Sequence, residues 1–419
     1  MPRLKTAEEC HDDIPPLVIP TTLAAGPGSG NTDLRVLERF AQTGLADHMH
    51  KDVVRGMLEA KAMLRELWGT QNVYTYGVAG TGFSGLDCVL SLILPGDTIV
   101  AFPNGTFSGI DTQTIRMKAA TAEELKADPL NPPASSVSVI QTPHGQSVKA
   151  ETIEQALSRH KPMWAFMAHW ETGSGRINDL KGFSDACIKH GVMGIVDAVS
   201  SLGVADFDID DYPGVVAWAS CPQKGVMSLP LTYAPVSFSD RAIEVARARG
   251  CRTYVHHPIL NARHWGIVDG KDVQTATYHQ THSCYAVAAF HEALRIILGY
   301  GRGRRASDYV YFEGLLRNAF VAMGCEVTSD MTSLLVLNLP EKLKGHEKDL
   351  VAYARTNRFG IWPTLSEPIQ VRIGILNLLS PEQIAEVAER FADILIEFGA
   401  DFDKSAVMRA LKVRAAHAA

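Results

Sequence analysis

The sequence predicts an α/β protein: a large domain with a mostly parallel central sheet sandwiched by helices, followed by a smaller α+β C-terminal domain. Three observations carry this. Apolar runs rich in β-branched and aromatic residues recur through the middle of the chain, as strands buried on both faces of a sheet require. Helical patterns lie between several of them, which is the signature of parallel strands joined by crossovers. Beyond about residue 290 that alternation gives way to long helices around one further strand run.

The strand runs are DTIVAFP (97–103), SVSVIQTP (136–143), MWAFMAH (163–169), GVMGIVDAVSS (191–201), VVAWAS (215–220) and LTYAPVSFS (231–239), with NVYTYGVAG (72–80) a weaker one. Helices are expected over 83–94, 150–160, 180–191, 285–301 and 309–324. The last helix starts at Ser380, a capping residue followed by Pro381. Ile384, Val387, Ala388, Phe391, Ile394 and Leu395 form one apolar stripe along it, and Gly399 stops it. These elements divide the chain into a large domain over 25–289 and a small one over 290–419, with the N-terminal segment 1–24 packing on the latter. The basic run GRGRRA (301–306) reads as a solvated loop after a helix.

With 419 residues and 46% hydrophobic content, the chain can bury a large core. A net charge of -6 excludes a general nucleic-acid binder, whose surface would be basic. Seven scattered cysteines without a CxxC fit a reduced cytoplasmic protein, not a disulfide scaffold. No secretory signal and no run long enough for a membrane span is visible. Paired histidines (His48 and His50, His256 and His257, His279 and His282) lack the cysteine or carboxylate partners of a metal site, so no metal is expected.

Three positions carry chemistry. GTGFSG (80–85) matches GxGxxG, but the acid that a dinucleotide fold needs about 20 residues on is poorly placed. What survives is a turn of small residues opening a helix, whose free N–H groups make a phosphate seat. Asp197 ends an apolar run in IVDAVSSLG, where a carboxylate is partly desolvated and at the site-forming end of a strand. Lys224 follows a second apolar run in WASCPQKGV, with no other charge between Asp211 and Asp240. A lysine shielded from water has a lowered pKa and becomes a nucleophilic amine. A phosphate seat, an acid for a ring nitrogen and an amine for an aldehyde are together the protein's side of a pyridoxal 5'-phosphate (PLP) site.

The order and spacing of these motifs resemble those of the class V, fold-type I PLP-dependent aminotransferases, in the alanine–glyoxylate / serine–pyruvate group. The resemblance runs from AAGPGSGN (24–31) to VRIGIL (371–376). It implies roles residue by residue. Gly28 borders the substrate, and Thr81 and Gly82 donate to the phosphate. Phe107, in NGTFSG, stacks on the pyridine ring. Thr172, in HWETGSG, stands near the ring hydroxyl, while Asp197 meets the ring nitrogen and Val199 packs on the other face. Gln223 borders the phosphate and Lys224 is the Schiff-base lysine. Tyr278 and Thr281, in YHQT, reach the phosphate of a partner subunit. Arg372 clamps the substrate carboxylate, as its bidentate fork suits.

The resemblance thus implies a homodimer with shared active sites, moving an amino group from a small amino acid such as alanine or serine to a 2-oxo acid such as glyoxylate or pyruvate. Two departures bear on the donor. Phe83 and Trp170 stand where relatives often carry smaller residues, near the cofactor or its entrance. The same scaffold also supports transaminases of aminophosphonates, ureidoglycine or pyridoxamine, and lyases or desulfurases. A desulfurase needs a mobile cysteine after the lysine, and Cys325 sits at a turn into an expected buried strand.

Overall fold

A computed structural model describes residues 21–42, 47–143 and 145–411. The central sheet has seven strands: β1 (Tyr74–Ala79), β2 (Ile99–Ala101), β3 (Val137–Val139), β4 (Trp164–Ala168), β5 (Met193–Asp197), β6 (Val215–Ala219) and β7 (Tyr233–Phe238). Their spatial order is β1-β7-β6-β5-β4-β2-β3. Every run expected as a strand in this region forms one. The pairs from β3 across to β6 are parallel, whereas β7 pairs antiparallel with both β6 and β1. Strands β4 to β7 are buried along their whole length, which explains why their sequences are apolar without alternation.

Helix α1 (Lys51–Trp68) precedes the sheet, α2 (Gly82–Leu90) follows β1, and α3 (Thr106–Ala119) follows β2. The expected helix over 83–94 stops at Leu90 and turns through Ser91, whose hydroxyl bonds back to Cys88 O. Helix α4 (Cys284–Tyr300) lays Val287, Phe290, Leu294 and Ile297 into the same core as the sheet.

Helix α5 (Arg302–Ala322) begins a second core with the antiparallel sheet β8 (Glu326–Val327), β9 (Leu334–Asn338), β10 (Trp362–Pro363) and β11 (Val371–Gly374), in the order β8-β9-β11-β10. Helix α6 (Pro381–Glu397) covers it. Ser380 Oγ accepts the Gln383 amide, and the whole expected stripe is buried. Leu23 bridges Phe359 of this domain, and residues 1–20 of the expected N-terminal segment lie outside the described residues.

The two cores correct two expectations. A boundary at 289/290 would cut α4, which lays Ala286, Val287, Phe290, Leu294 and Ile297 on the large core; buried helix residues join the second core only beyond Gly301. The basic run 301–306 is not a solvated loop but the first turn of α5. Arg302 donates to Glu66 O at 2.8 Å and Phe207 O at 3.0 Å. Arg305, 4% exposed, donates to Gly203 O at 2.7 Å and Gly225 O at 3.2 Å, and also to Asn377. Guanidinium forks here satisfy backbone carbonyls where two turns and a helix end meet. Among the described residues, no helix is long and apolar enough to cross a membrane.

Candidate active site

The carboxyl ends of β1, β2, β4, β5 and β6 point the same way, and a site forms beyond them. Register brings the ends together: Asp197 on β5 lies opposite Ala168 of β4 and Ala219 of β6. The chain after β4 runs into Trp170, and the chain after β6 runs into Lys224. Beyond these ends lies a cavity of ≈ 230 Å³. Gly28, Gly82, Phe83, Phe107, Asp197, Val199, Gln223 and Lys224 line it, eight positions expected from the sequence and brought to one place.

Lys224 is 8% exposed, and its Nζ donates to Ser200 Oγ at 3.0 Å and Thr172 Oγ1 at 3.3 Å. Burial lowers its pKa, opposed by nearby Cys221, Asp197 and Glu171. The ammonium stands 5.4 Å from the Phe107 ring centroid. Gly28 lies against the lysine stem. A Cβ there would meet Lys224 Cε at 2.9 Å, and φ of +138° independently favours glycine. Gly225, after the lysine, packs so closely on the Leu202 carbonyl that a Cβ would fall 2.2 Å from it.

Asp197 is buried, and its Oδ1 accepts the Val199 amide at 2.6 Å. Burial pushes its carboxyl up to about 6, against the pull of that amide and of Lys224. The N-terminus of α2 also opens on the cavity. Thr81 is the N-cap residue but its hydroxyl caps nothing, so the first-turn amides at Gly82 and Phe83, both lining the cavity, lack a side-chain cap. Gly82 is required for this approach, since a Cβ would meet Cys221 Cβ at 2.9 Å and Val199 Cγ2 at 3.0 Å. Cys221 is therefore packing, with burial raising its thiol to about 11.

Phe107 is held from behind. Glu171, fully buried, accepts Ser108 N at 2.7 Å, Ser108 Oγ at 2.6 Å, Phe107 N at 3.4 Å and Gly173 N at 2.6 Å. It thereby fixes the start of α3. Trp170, flagged as a departure, forms part of the wall, and Phe83, half exposed, stands at the mouth.

Five expected residues do not line this cavity: Thr81 immediately precedes the lining Gly82, Thr172 bonds Lys224 Nζ, and the others are Arg372, Tyr278 and Thr281. Arg372, on β11, turns its fork onto the Pro363 carbonyl at 2.8 and 3.1 Å and the Thr172 carbonyl at 2.9 Å. It stands one layer behind the wall, and burial lowers its pKa to about 10. Tyr278 and Thr281 bond each other at 3.2 Å on an exposed loop away from the cavity. Five lining residues had no role assigned from the sequence: Pro27, Ser29, Leu86, Asp111 and Ser200. Ser200 stands inside the DAVSSLG motif, where a hydroxyl three residues after a buried acid was the available signal. Among the described residues no cluster of side chains is arranged to hold a metal ion.

A scan against protein-family models finds no match. Among curated proteins, the alanine–glyoxylate aminotransferase of Oryctolagus cuniculus is 30% identical over 307 residues, spanning 71% of this chain and 72% of that protein. The (S)-ureidoglycine–glyoxylate transaminase of Bacillus subtilis is 26% identical over 331 residues, spanning 75% and 74%. Two solved structures share the fold with a TM-score of 0.83 at 23% identity: the ureidoglycine–glyoxylate aminotransferase of Bacillus subtilis, over 94% of this chain and 98% of that one, and an alanine–glyoxylate aminotransferase from Nostoc sp., over 94% and 100%. The 30% identity to the Oryctolagus cuniculus enzyme over more than two thirds of both chains, on the fold and strand-end site described above, establishes that this chain is a transaminase belonging to the alanine–glyoxylate aminotransferase family of class V, fold-type I enzymes.

Proposed function

We propose that the protein binds PLP in the strand-end cavity and moves an amino group from a small amino acid to a 2-oxo acid, glyoxylate or pyruvate. The observation that carries this is the buried Lys224 amine, facing a cavity with Asp197 on one wall and an uncapped helix start on another. The residues fit the cofactor. Gln223 Oε1 is buried at the cavity without a hydrogen-bond donor, which marks a place for a polar ligand. Gly82 keeps the phosphate seat free of side chain, and Phe107 offers an aromatic face.

When bound, PLP supplies an aldehyde that condenses with amines and a protonated ring that draws electrons from the substrate α-carbon. The chain's residues do the rest. Lys224 offers an amine whose proton burial has loosened, and the same Nζ is the group available to move the proton at the substrate Cα. Thr172 and Ser200 hydroxyls orient it. Asp197 supplies the carboxylate for the ring nitrogen, with Val199 on the adjoining wall. Arg372, behind the wall, would have to turn its fork from the Pro363 and Thr172 carbonyls toward the cavity to clamp a substrate carboxylate. A cavity of ≈ 230 Å³ with Trp170 in its wall favours small substrates.

The exposed pair Tyr278–Thr281, turned away from its own chain's cavity, supports a homodimer in which each subunit completes the other's phosphate site. A desulfurase reading is disfavoured by Cys325, 5% exposed in the small core, with its thiol raised to about 12 by burial.

Purified protein supplied with PLP is incubated with glyoxylate or pyruvate and a panel of amino donors that includes alanine, serine, ureidoglycine, an aminophosphonate and pyridoxamine. Glycine or alanine should form in step with the donor's oxo product, and Lys224→Ala should lose this activity by more than about a thousandfold, as removal of an activated nucleophile does. Release of ammonia or sulfide without amino transfer would make the reaction a lyase's.

A further inference from the structure

Helix α3 carries Phe107 and, four residues on, Asp111. This spacing puts both on the face turned to the cavity. Asp111 is 1% exposed, and its Oδ2 is buried with no hydrogen-bond donor. The charged groups facing it are Asp197, Glu171 and Lys224. Glu171 is occupied by its four bonds at the start of α3, and Lys224 Nζ donates to Ser200 and Thr172. Neither group donates to Asp111 Oδ2, which has no hydrogen-bond partner.

Asp197 and Asp111 line the same cavity and act on each other as neighbouring buried acids. As two carboxylates they would be acceptor against acceptor and charge against charge in a desolvated pocket, which a close buried pair cannot sustain. One proton between them removes both problems. It belongs on Asp111, because Asp197 has the Val199 amide to stabilise its charge and Asp111 has nothing. Burial and the two neighbouring acids hold the Asp111 proton well above the ordinary carboxyl range, in the same direction.

We propose that Asp111 is a positioning residue of the site: its carboxyl stays protonated, donates to Asp197, and so holds Asp197 as the anion presented to the cavity. The protonation follows from the protein alone; its consequence for cofactor binding rests on the PLP reading above.

Two measurements on the full-length chain separate these. Infrared spectroscopy of cofactor-free protein carrying carboxyl-labelled aspartate, at about pH 8, should show a protonated aspartic carboxyl that Asp111→Asn removes. Absence of that band in the unmutated protein, or its persistence in a folded Asp111→Asn or Asp111→Ser variant, overturns the proposal. PLP affinity of the cofactor-free protein, followed by fluorescence, supplies the second arm. Asp111→Asn keeps a donor to Asp197 and should bind within about threefold of the parent, whereas Asp111→Leu keeps bulk without a donor and should bind at least about tenfold more weakly. Equal binding by both variants contradicts the positioning role. If the parent chain binds no PLP, the cofactor reading has failed, and the infrared band still decides the protonation.

Discussion

At the scale of single residues, the site is governed by how burial treats charge. Lys224 loses water and gains only two hydroxyl acceptors, so its ammonium form is disfavoured despite Asp197 and Glu171 nearby. In the cofactor-free protein, acetylation of Lys224 by acetic anhydride should therefore rise at lower pH than that of the exposed lysines, which titrate at about 10.4. Peptide mass spectrometry against pH reads this directly; a Lys224 profile matching the surface lysines would contradict it. Lys224 and Asp197 were legible in the sequence because each breaks an apolar run at its end. Asp111 was not, since in GIDTQTIRMK it looks like any polar residue on an amphipathic helix, and only the fold buries it. Arg372 was legible as a residue but not in its orientation, which depends on a Thr172 carbonyl 200 positions away.

Among elements, what matters is how turns and helix ends are held. The turns after β5 and β6 lock together, with a Cβ on Gly203 landing 2.6 Å from Gly225 O and one on Gly225 landing 2.2 Å from Leu202 O. The start of α3 depends on Glu171. Glu171→Ala would strip the acceptor from the buried Ser108 amide and from the Gly173 amide, each orphan costing about 1–3 kcal/mol. The variant should melt several degrees lower, with Glu171→Gln milder because it retains one acceptor oxygen; a Glu171→Ala melt matching the parent would show that the helix start holds without it. Strand positions were legible because two-sided burial demands continuous apolar runs. The antiparallel direction of β7 was not, because strand direction leaves no mark on which side chains are apolar. The start of α5 was hidden by Arg302 and Arg305, whose charge suggested solvent while their forks meet backbone carbonyls.

Over the whole molecule, the two cores meet at the lysine. Gly30 N donates to Gln223 O at 2.8 Å, while Asn377 Nδ2 reaches Lys224 O at 3.1 Å and Asn31 O at 2.8 Å. Arg305, at the start of the small domain, bonds both Gly225 O and Asn377. N-terminal strap, large domain and small domain thus converge on the backbone of residues 223–225, which fixes where the Lys224 amine can stand. The class of fold was readable from motif order along the chain, as were eight of the residues that line the cavity. The convergence was not, because it rests on backbone carbonyls that any sequence supplies. The central claim is that Lys224, among all the lysines of the chain, carries the cofactor. It is tested by reducing the PLP-loaded protein with borohydride and mapping the peptides by mass spectrometry: the account predicts a phosphopyridoxyl group on Lys224 alone, and a group found on another lysine, or on none, would contradict it.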